Sequence, residues 1–374
     1  MGTRMSLVVH PTYSCDAECD YCSVHKLGKF VKPMSQETLK LLIKRTNQFF
    51  ETKEKDDSGV TFYWLGGEAL LVGDAFYEDV EKTIDDSLMN KKISVTHQLQ
   101  TNLLKFTNND FTSLKRLLSS KNDKNKSKIY NLSTSYDPVS DARKYRGSSA
   151  EYNKLFAKSF KKVKDENGRV SMVYTAHSGS MDKAKEIYYF IKNAGFSGFN
   201  INSVLDFQGE FSEEDFQMTT KQYGDFLIQM WELWESDNYK LGLTPFIGWK
   251  KIVDSGDESD LRCHNDGRCS YSMFSIGPDG SIHHCNFAQQ AYEKPLGTLK
   301  NNTFEELSGP KRKNIDDRIE YLENTVCQGC RWWSYCRGGC PYEGRGHYEG
   351  RFDKTYWCES YKMLFEYINR DKVY

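Results

Sequence analysis

The stretch "SCDAECDYCS" (14–23) sets three thiols, Cys15, Cys19 and Cys22, at spacings of three and two intervening residues. Two thiols make a redox pair, and four close a zinc site. Three thiolates leave a tetrahedral centre one ligand short. That suits a catalytic zinc with water in the last place, or an iron–sulfur cluster with one open iron. The softness of thiolate ligands admits either metal. After Cys22 no cysteine occurs until Cys263; Cys269, Cys285, Cys327, Cys330, Cys336, Cys340 and Cys358 follow, eleven in all. Core thiols scatter along a chain, whereas these are grouped as ligands are.

An open site needs a frame to hold it. "SLVVHP" (6–11) is a short apolar run leading into the cysteine loop, and Ser35 is a plausible N-cap for a helix in which Leu39, Leu42, Ile43, Thr46, Phe49 and Phe50 recur at helical spacing. Further strands are expected at "VTFYWLGGE" (60–68), "SVTHQLQTN" (94–102), "IYNLSTSYD" (129–137), "RVSMVYTAHS" (169–178) and "FNINSVLD" (199–206). Helices are expected near 74–89, 149–165, 181–195 and 219–236. Six strand–helix repeats predict a parallel sheet with right-handed crossovers, as a doubly wound sheet or an incomplete barrel. Past about residue 237 the chain turns to short Gly-, Cys-, Tyr- and Trp-rich segments such as "SIGPDGSIHHC" (275–285). They predict a loop-rich second region held by metal rather than by a large apolar core. "YKMLFEYINRDKVY" (361–374) reads as a short amphipathic helix.

The 374 residues carry 51 Lys and Arg against 52 Asp and Glu, a net charge of −1. That balance gives no electrostatic case for nucleic acid or an anionic membrane as partner. No apolar stretch approaches the length of a membrane span, and the N-terminus lacks a signal peptide. A cytoplasmic protein is expected, its thiols reduced rather than joined as disulfides.

Cys15-x3-Cys19-x2-Cys22, with Tyr21 just before the third cysteine, resembles the signature of radical S-adenosylmethionine enzymes. The resemblance implies a 4Fe–4S cluster on these cysteines whose open iron binds the amino and carboxylate groups of S-adenosylmethionine. It also implies a partial (β/α)6 barrel, with its motifs at the C-terminal ends of strands. Gly66, Gly67 and Glu68 match the motif that contacts the cofactor's ammonium: glycine permits close backbone approach, and a carboxylate suits a cation. Gln100 to Asn102, and Ser135 of "STSYDP" (133–138), fall where relatives line the cofactor pocket, Ser135 as a ribose contact. In "SDARKYRG" (140–147), Arg146 matches an arginine that meets cofactor or substrate.

Gly280-x4-Cys285, Cys327-x2-Cys330-x5-Cys336-x3-Cys340 and Cys358 resemble the signature of SPASM domains, the C-terminal extension of peptide- and protein-modifying radical enzymes. That resemblance implies two auxiliary 4Fe–4S clusters, on Cys263, Cys269, Cys285 and Cys340 and on Cys327, Cys330, Cys336 and Cys358. A zinc ribbon is the competing reading of the CxxC pair. The resulting plan is α/β: a partial (β/α)6 TIM barrel (1–236), a bridging region (237–262), a loop-rich, iron–sulfur-stabilised SPASM domain (263–358) and a C-terminal helix (359–374).

The implied chemistry begins with an external one-electron donor of flavodoxin or ferredoxin type. A 5′-deoxyadenosyl radical then takes hydrogen from the substrate, and the auxiliary clusters remove an electron. In sulfatase-maturing relatives an Asp follows the cysteine matching Cys285; here Asn286 stands there and cannot act as a carboxylate base. With every cysteine assigned, no thiol is left for epimerisation. The expected reaction is therefore an oxidative cross-link, carbon–carbon, ether or thioether, within a ribosomally made precursor peptide. The alternative is formylglycine formation on a protein Cys or Ser. Asp206, Glu210, His283 and His284 are candidate bases by location. The first strand begins near residue 6, so leader recognition is expected on the barrel–SPASM groove or by a separate leader-binding protein.

Overall fold

The computed structural model describes residues 3–24, 27, 31–51, 53, 58–88, 93–107, 128–166, 168–205, 216–263, 265–269, 271–343 and 353–371. In chain order the alternating part runs β1 (Arg4–Val9), α1 (Gln36–Glu51), β2 (Gly59–Trp64), α2 (Asp74–Ser87), β3 (Ser94–Thr101), β4 (Lys128–Ser135), α3 (Ser149–Asp165), β5 (Val170–Ala176), α4 (Ala184–Ala194), β6 (Phe199–Ser203) and α5 (Thr220–Ser236). There follow β7 (Leu243–Thr244), α6 (Phe246–Ser255), β8 (Met273–Ile276), β9 (Ser281–His283), α7 (Asn286–Gln290), β10 (Gly297–Thr298), α8 (Phe304–Asn324), α9 (Trp333–Cys336) and α10 (Cys358–Ile368).

The chain forms two compact units. One comprises Met1–Ser135, Ala142–Val170 and Ser272–Lys311; the other comprises Tyr136–Asp141, Ser171–Tyr271 and Arg312–Tyr374. In the first, β8, β1, β2, β3 and β4 lie side by side in parallel, and β9 and β10 extend the sheet antiparallel beyond β8. Val9 pairs with Trp64, the last residues of β1 and β2, and Trp64 with Leu99, two residues before the end of β3. The segments that leave them, beginning at His10, Leu65 and Asn102, therefore emerge at one edge of the sheet. The stripe Leu39, Leu42, Ile43, Thr46, Phe49 and Phe50 of α1 is buried, as its spacing predicts. Ser35 caps that helix, its Oγ accepting from the Thr38 amide at 3.1 Å.

In the second unit β5, β6 and β7 are parallel. Its core is aromatic, with Tyr174, Phe226, Phe246, Trp249 and Phe365 all buried. Helix α10 packs on α5 there, where Gly224 leaves room for Met363.

The compact units cut across the sequence blocks 1–236 and 263–358. Residues 272–311 join the first unit because β8 pairs with β1 from Ser6↔Met273 to Val9↔Ile276. The later region also contains one long helix, α8, 21 residues long and continuous through Pro310. Gly309-Pro310 reads as a breaker in sequence. The helix survives because Phe304, Ser308, Lys311, Ile315, Arg318 and Leu322 bury one face. Half of those residues are polar, so no apolar period marks the helix. Among the described residues no helix is long and apolar enough to cross a membrane.

Candidate functional site

The backbone after β2 lies directly against the cysteine loop. The Gly67 amide donates to the Thr12 carbonyl at 3.0 Å, and the Glu68 amide to the Ser14 carbonyl at 2.8 Å. A methyl group on Gly66, whose φ is +118°, would come within 2.2 Å of the Thr12 carbonyl oxygen. On Gly67 it would come within 2.3 Å of that of Ser14. These glycines admit the thiol-bearing backbone at a distance no other residue allows. Glu68, 1% exposed, turns its carboxylate inward, where it accepts from the amides of Leu70 (2.9 Å) and Asn102 (2.7 Å). Burial raises its pKa to about 7 against the pull of those hydrogen bonds. A carboxylate has about four acceptor positions, so room remains for a cation.

Asn102, held through its amide by Glu68, donates from Nδ2 to Asp16 Oδ1 at 2.8 Å and reaches Cys15 Sγ at 3.8 Å. On the other side Arg143 donates from Nε to Tyr21 Oη at 3.0 Å and from Nη1 to Cys19 Sγ at 3.9 Å and Tyr152 Oη at 3.4 Å. The same stretch is laced to the loop: the amides of Glu18 and Asp20 donate to the carbonyls of Lys144 and Ala142, and Lys144 Nζ lies 2.8 Å from Asp20 Oδ2. Tyr152 Oη donates to the Ser135 carbonyl at 3.4 Å, and Gln100 Nε2 to Ser135 Oγ at 3.0 Å. The structure thus gathers Tyr21, Gly66, Gly67, Glu68 and Asn102 at the thiols and joins Gln100 to Ser135 beside them. Arg146 is exposed, its guanidinium over the Tyr145 ring; the arginine at the thiols is Arg143, 9% exposed. Arg143, Asp16, Glu18 and Asp20 escaped the sequence reading. The acidic residues interleaved with the cysteines were the available signal. Burial pushes the Cys15 and Cys19 thiols up; a bound metal reverses this by deprotonating them.

The loop's far end meets α7. Ser23 Oγ donates to Gln290 Oε1 at 3.0 Å, and Cys285 is the N-cap of that helix. Asn286 Oδ1 accepts from His10 Nε2 at 3.0 Å and Gln290 Nε2 at 3.2 Å. His10 is fully buried, which lowers its pKa to about 4, so its imidazole is neutral. His283 is buried on β9 against Ser281, while His284 is half-buried and its carbonyl accepts from Lys311 Nζ at 2.8 Å. Asp206 and Glu210 lie outside the described residues.

In the second unit Cys327, Cys330, Cys336 and Cys358 line one cavity, walled by Trp332, Trp333, Tyr361 and Phe365 together with Lys354 and Lys362. The turn that follows Cys336 runs left-handed through Arg337, Gly338 and Gly339, with φ of 47°, 80° and 71°. Methyl groups would bring Gly338 within 2.5 Å of Leu322 and Gly339 within 2.5 Å of Thr355, so glycine is required at both places. Burial pushes the Cys336 thiol up to about 12, and the neighbouring sulfurs of Cys358, Cys327 and Cys330 add to it. Of the other auxiliary set, Cys269 and Cys340 are buried and Cys263 exposed in this unit, while the buried Cys285 belongs to the first. Among the described residues no three His, Cys, Asp or Glu side chains close on the point a single ion would occupy. The unit also holds a buried pair the sequence reading missed. His177, just past β5, lies 2.8 Å from Asp137 of "STSYDP". Burial opposes ionisation of Asp137, but hydrogen bonds from His177 and Ser140 hold its pKa low.

No family model matches the chain. It is 25% identical over 378 residues to the cysteine-type anaerobic sulfatase-maturating enzyme of Clostridium perfringens (strain 13 / Type A), covering 97% of this chain and 96% of that one. Native anSMEcpe with bound AdoMet and Cp18Cys peptide superposes with a TM-score of 0.79 at 22% identity, over 99% of this chain and all of that one. Streptococcus suis SuiB bound to precursor peptide SuiA superposes with a TM-score of 0.61 at 14% identity, over 96% of this chain and 76% of that one. The two solved structures share its α/β fold.

Proposed function

We propose that this chain, a homologue of the anaerobic sulfatase-maturating enzymes and with them a radical S-adenosylmethionine enzyme carrying a SPASM region, oxidises a cysteine or serine side chain of a polypeptide. The observation that carries the reading is the end-to-end relation to a cysteine-type enzyme, over 97% of this chain and 96% of that one. It reverses the emphasis drawn from sequence alone, where Asn286 put peptide cross-linking first. SuiB is the more distant likeness.

The side chains gathered at the thiols fit the groups this reading needs. Cys15, Cys19 and Cys22 would hold the cofactor-binding cluster, with N–H donors from Asn102 and Arg143 at two of the sulfurs. Glu68 would meet the cofactor's ammonium, and Gln100 and Ser135 its ribose. The two later cysteine sets would hold auxiliary clusters, making three in all. When bound, S-adenosylmethionine and its cluster supply a carbon radical that takes a hydrogen atom from the substrate's Cβ. The remaining hydrogen on sulfur or oxygen would leave as a proton to a base, and clusters held by the later cysteine sets would supply the acceptor for the one surplus electron, so that a carbon–heteroatom double bond forms. A thioaldehyde formed from cysteine is then hydrolysed, water supplying the oxygen of the aldehyde and the sulfur leaving as hydrogen sulfide. Asn286 supplies no carboxylate for the proton, which leaves Asp206, Glu210 and His284 as the proposed acceptors. A flavodoxin- or ferredoxin-type donor and a cytoplasmic setting complete the proposal.

The test is anaerobic reconstitution to about twelve irons per chain, followed by reaction with a Cys- or Ser-bearing sulfatase peptide and a reductant. An aldehyde on the peptide is expected. Asn286 favours one second reading, cross-linking within a precursor peptide. A small peptide encoded beside the gene that loses a hydrogen pair without forming an aldehyde, while the sulfatase peptide stays unchanged, overturns the first reading in favour of the second.

A further inference from the structure

We infer that Arg318 is a fixed positive charge that sets the reduction potentials of both auxiliary clusters together. The inference rests on the cysteine assignments above and goes beyond them. Arg318 lies on α8 and is 6% exposed. Its Nη2 donates to the Asp353 carbonyl at 2.9 Å and reaches that of Gly338 at 3.5 Å. Gly338 stands midway between Cys336, assigned to one set, and Cys340, assigned to the other. The guanidinium is thus fastened to the turn that joins the two sets. Its Nε is buried and makes no hydrogen bond among the described residues. Burial lowers the pKa of the guanidinium, and the sulfurs of Cys269 and Cys340 of the first set and of Cys327 and Cys336 of the second pull it back up.

A buried arginine remains charged and is scarcely screened by salt. A carboxylate partner would cancel its field at a distance, but both acceptors shown here are neutral carbonyls. Reduction adds negative charge to a cluster, so a nearby cation favours the reduced form and raises the potential. Lys354 and Lys362 also act on Cys358, but their side chains are 40% and 38% exposed and their field is damped by water and salt. Arg318 therefore keeps both clusters able to accept the electron that the oxidation releases.

The test is a redox titration of the reconstituted holoenzyme followed by electron paramagnetic resonance, comparing wild type, Arg318→Gln and Arg318→Lys. Iron is counted first. A wild type that lacks the auxiliary complement of about eight irons fails the cysteine assignments and overturns this inference with them, since there is then no cluster for Arg318 to act on. With clusters present, Arg318→Gln is expected to lower both potentials by at least a tenfold change in the reduction equilibrium, about 59 mV for one electron. The shift persists in high salt. Arg318→Lys, which keeps the charge but loses the fork, is expected to stay near wild type. Unmoved potentials in Arg318→Gln, or a shift in one cluster alone, overturn the assignment. If Arg318→Gln fails to hold iron, Arg318→Lys decides: retained iron and near-wild-type potentials support the charge, and lost iron makes Arg318 a structural brace.

Discussion

Two cysteine regions of one chain are built on opposite plans. Around Cys15 and Cys19 the neighbours are polar: Asn102, Asp16, Glu68, Arg143 and Tyr21, each engaged by hydrogen bonds that aim it. Around Cys327, Cys330, Cys336 and Cys358 stand the rings of Trp332, Trp333, Tyr361 and Phe365, with Lys354 and Lys362 beside them. The first has one thiol fewer than a cluster's full set; the second has the full set of four. A site that must bind a zwitterion needs directed donors and acceptors and an open place. A site that only accepts and passes an electron is better closed by apolar walls, where the dielectric is low and no ligand competes. On the function proposed above, that difference suits the first region to binding and the second to electron transfer.

The largest effect expected from that division is complete loss. Changing Cys15, Cys19 and Cys22 to Ala should abolish cofactor cleavage and lower iron from about twelve to about eight per chain, with the fold kept. Cys358→Ala should lower the melting temperature, because a structural metal group contributes folding energy directly. Iron analysis and anaerobic thermal melts separate the two. If the loop variant melts earlier than the cavity variant, the comparison is broken.

Next in size is the backbone contact under the loop. Gly67→Ala places a methyl 2.3 Å from one backbone oxygen and 2.4 Å from another, neither at the end of a flexible side chain. The cysteine loop must move, and a displacement of about an ångström near reacting groups costs about 10²-fold in rate. Steady-state turnover measures it, with iron content as the control. Arg143→Met and Arg146→Met sharpen the same point at lower cost. The first removes donors to Tyr21, Tyr152 and Cys19 and should lower the potential of the first cluster and slow turnover. The second touches an exposed residue and should change stability by no more than about 0.5 kcal/mol.

How much of this could be read beforehand follows the kind of signal. The strands and α1 were legible because their apolar residues repeat with the period of the element. The cysteines, Gly66, Gly67 and Glu68 were legible because chemistry fixes their spacing. Helix α8 was not, since its buried face includes the polar Ser308, Lys311 and Arg318, and the partners of Lys311 and Arg318 come from distant segments. Arg143 was not legible for a related reason. Spacing along a loop does not reveal which side chain turns inward, and only the pairing of Glu18 and Asp20 with Lys144 and Ala142 sets Arg143 against the thiols.

The smallest effect concerns pH and needs two variants to be seen. His10 and Glu68 lie in the same unit, both buried, with pKa values moved in opposite directions: His10 from 6.5 to about 4, Glu68 from 4.5 to about 7, each chiefly by burial. Between pH 4.5 and 6.5 the unfolded chain holds a proton on His10 that the folded one lacks, so this group makes stability rise with pH. Over the same window the folded chain keeps a proton on Glu68 that the unfolded one has lost, so that group makes stability fall as pH rises. In wild type the two slopes offset. His10→Gln should leave a stability that falls with rising pH, and Glu68→Gln one that rises, each by at most about 1.4 kcal/mol per pH unit. Denaturant melts of the three proteins across that window measure the slopes. Two variants with the same sign of slope relative to wild type would show that one of these groups is not held neutral beneath the cysteine loop.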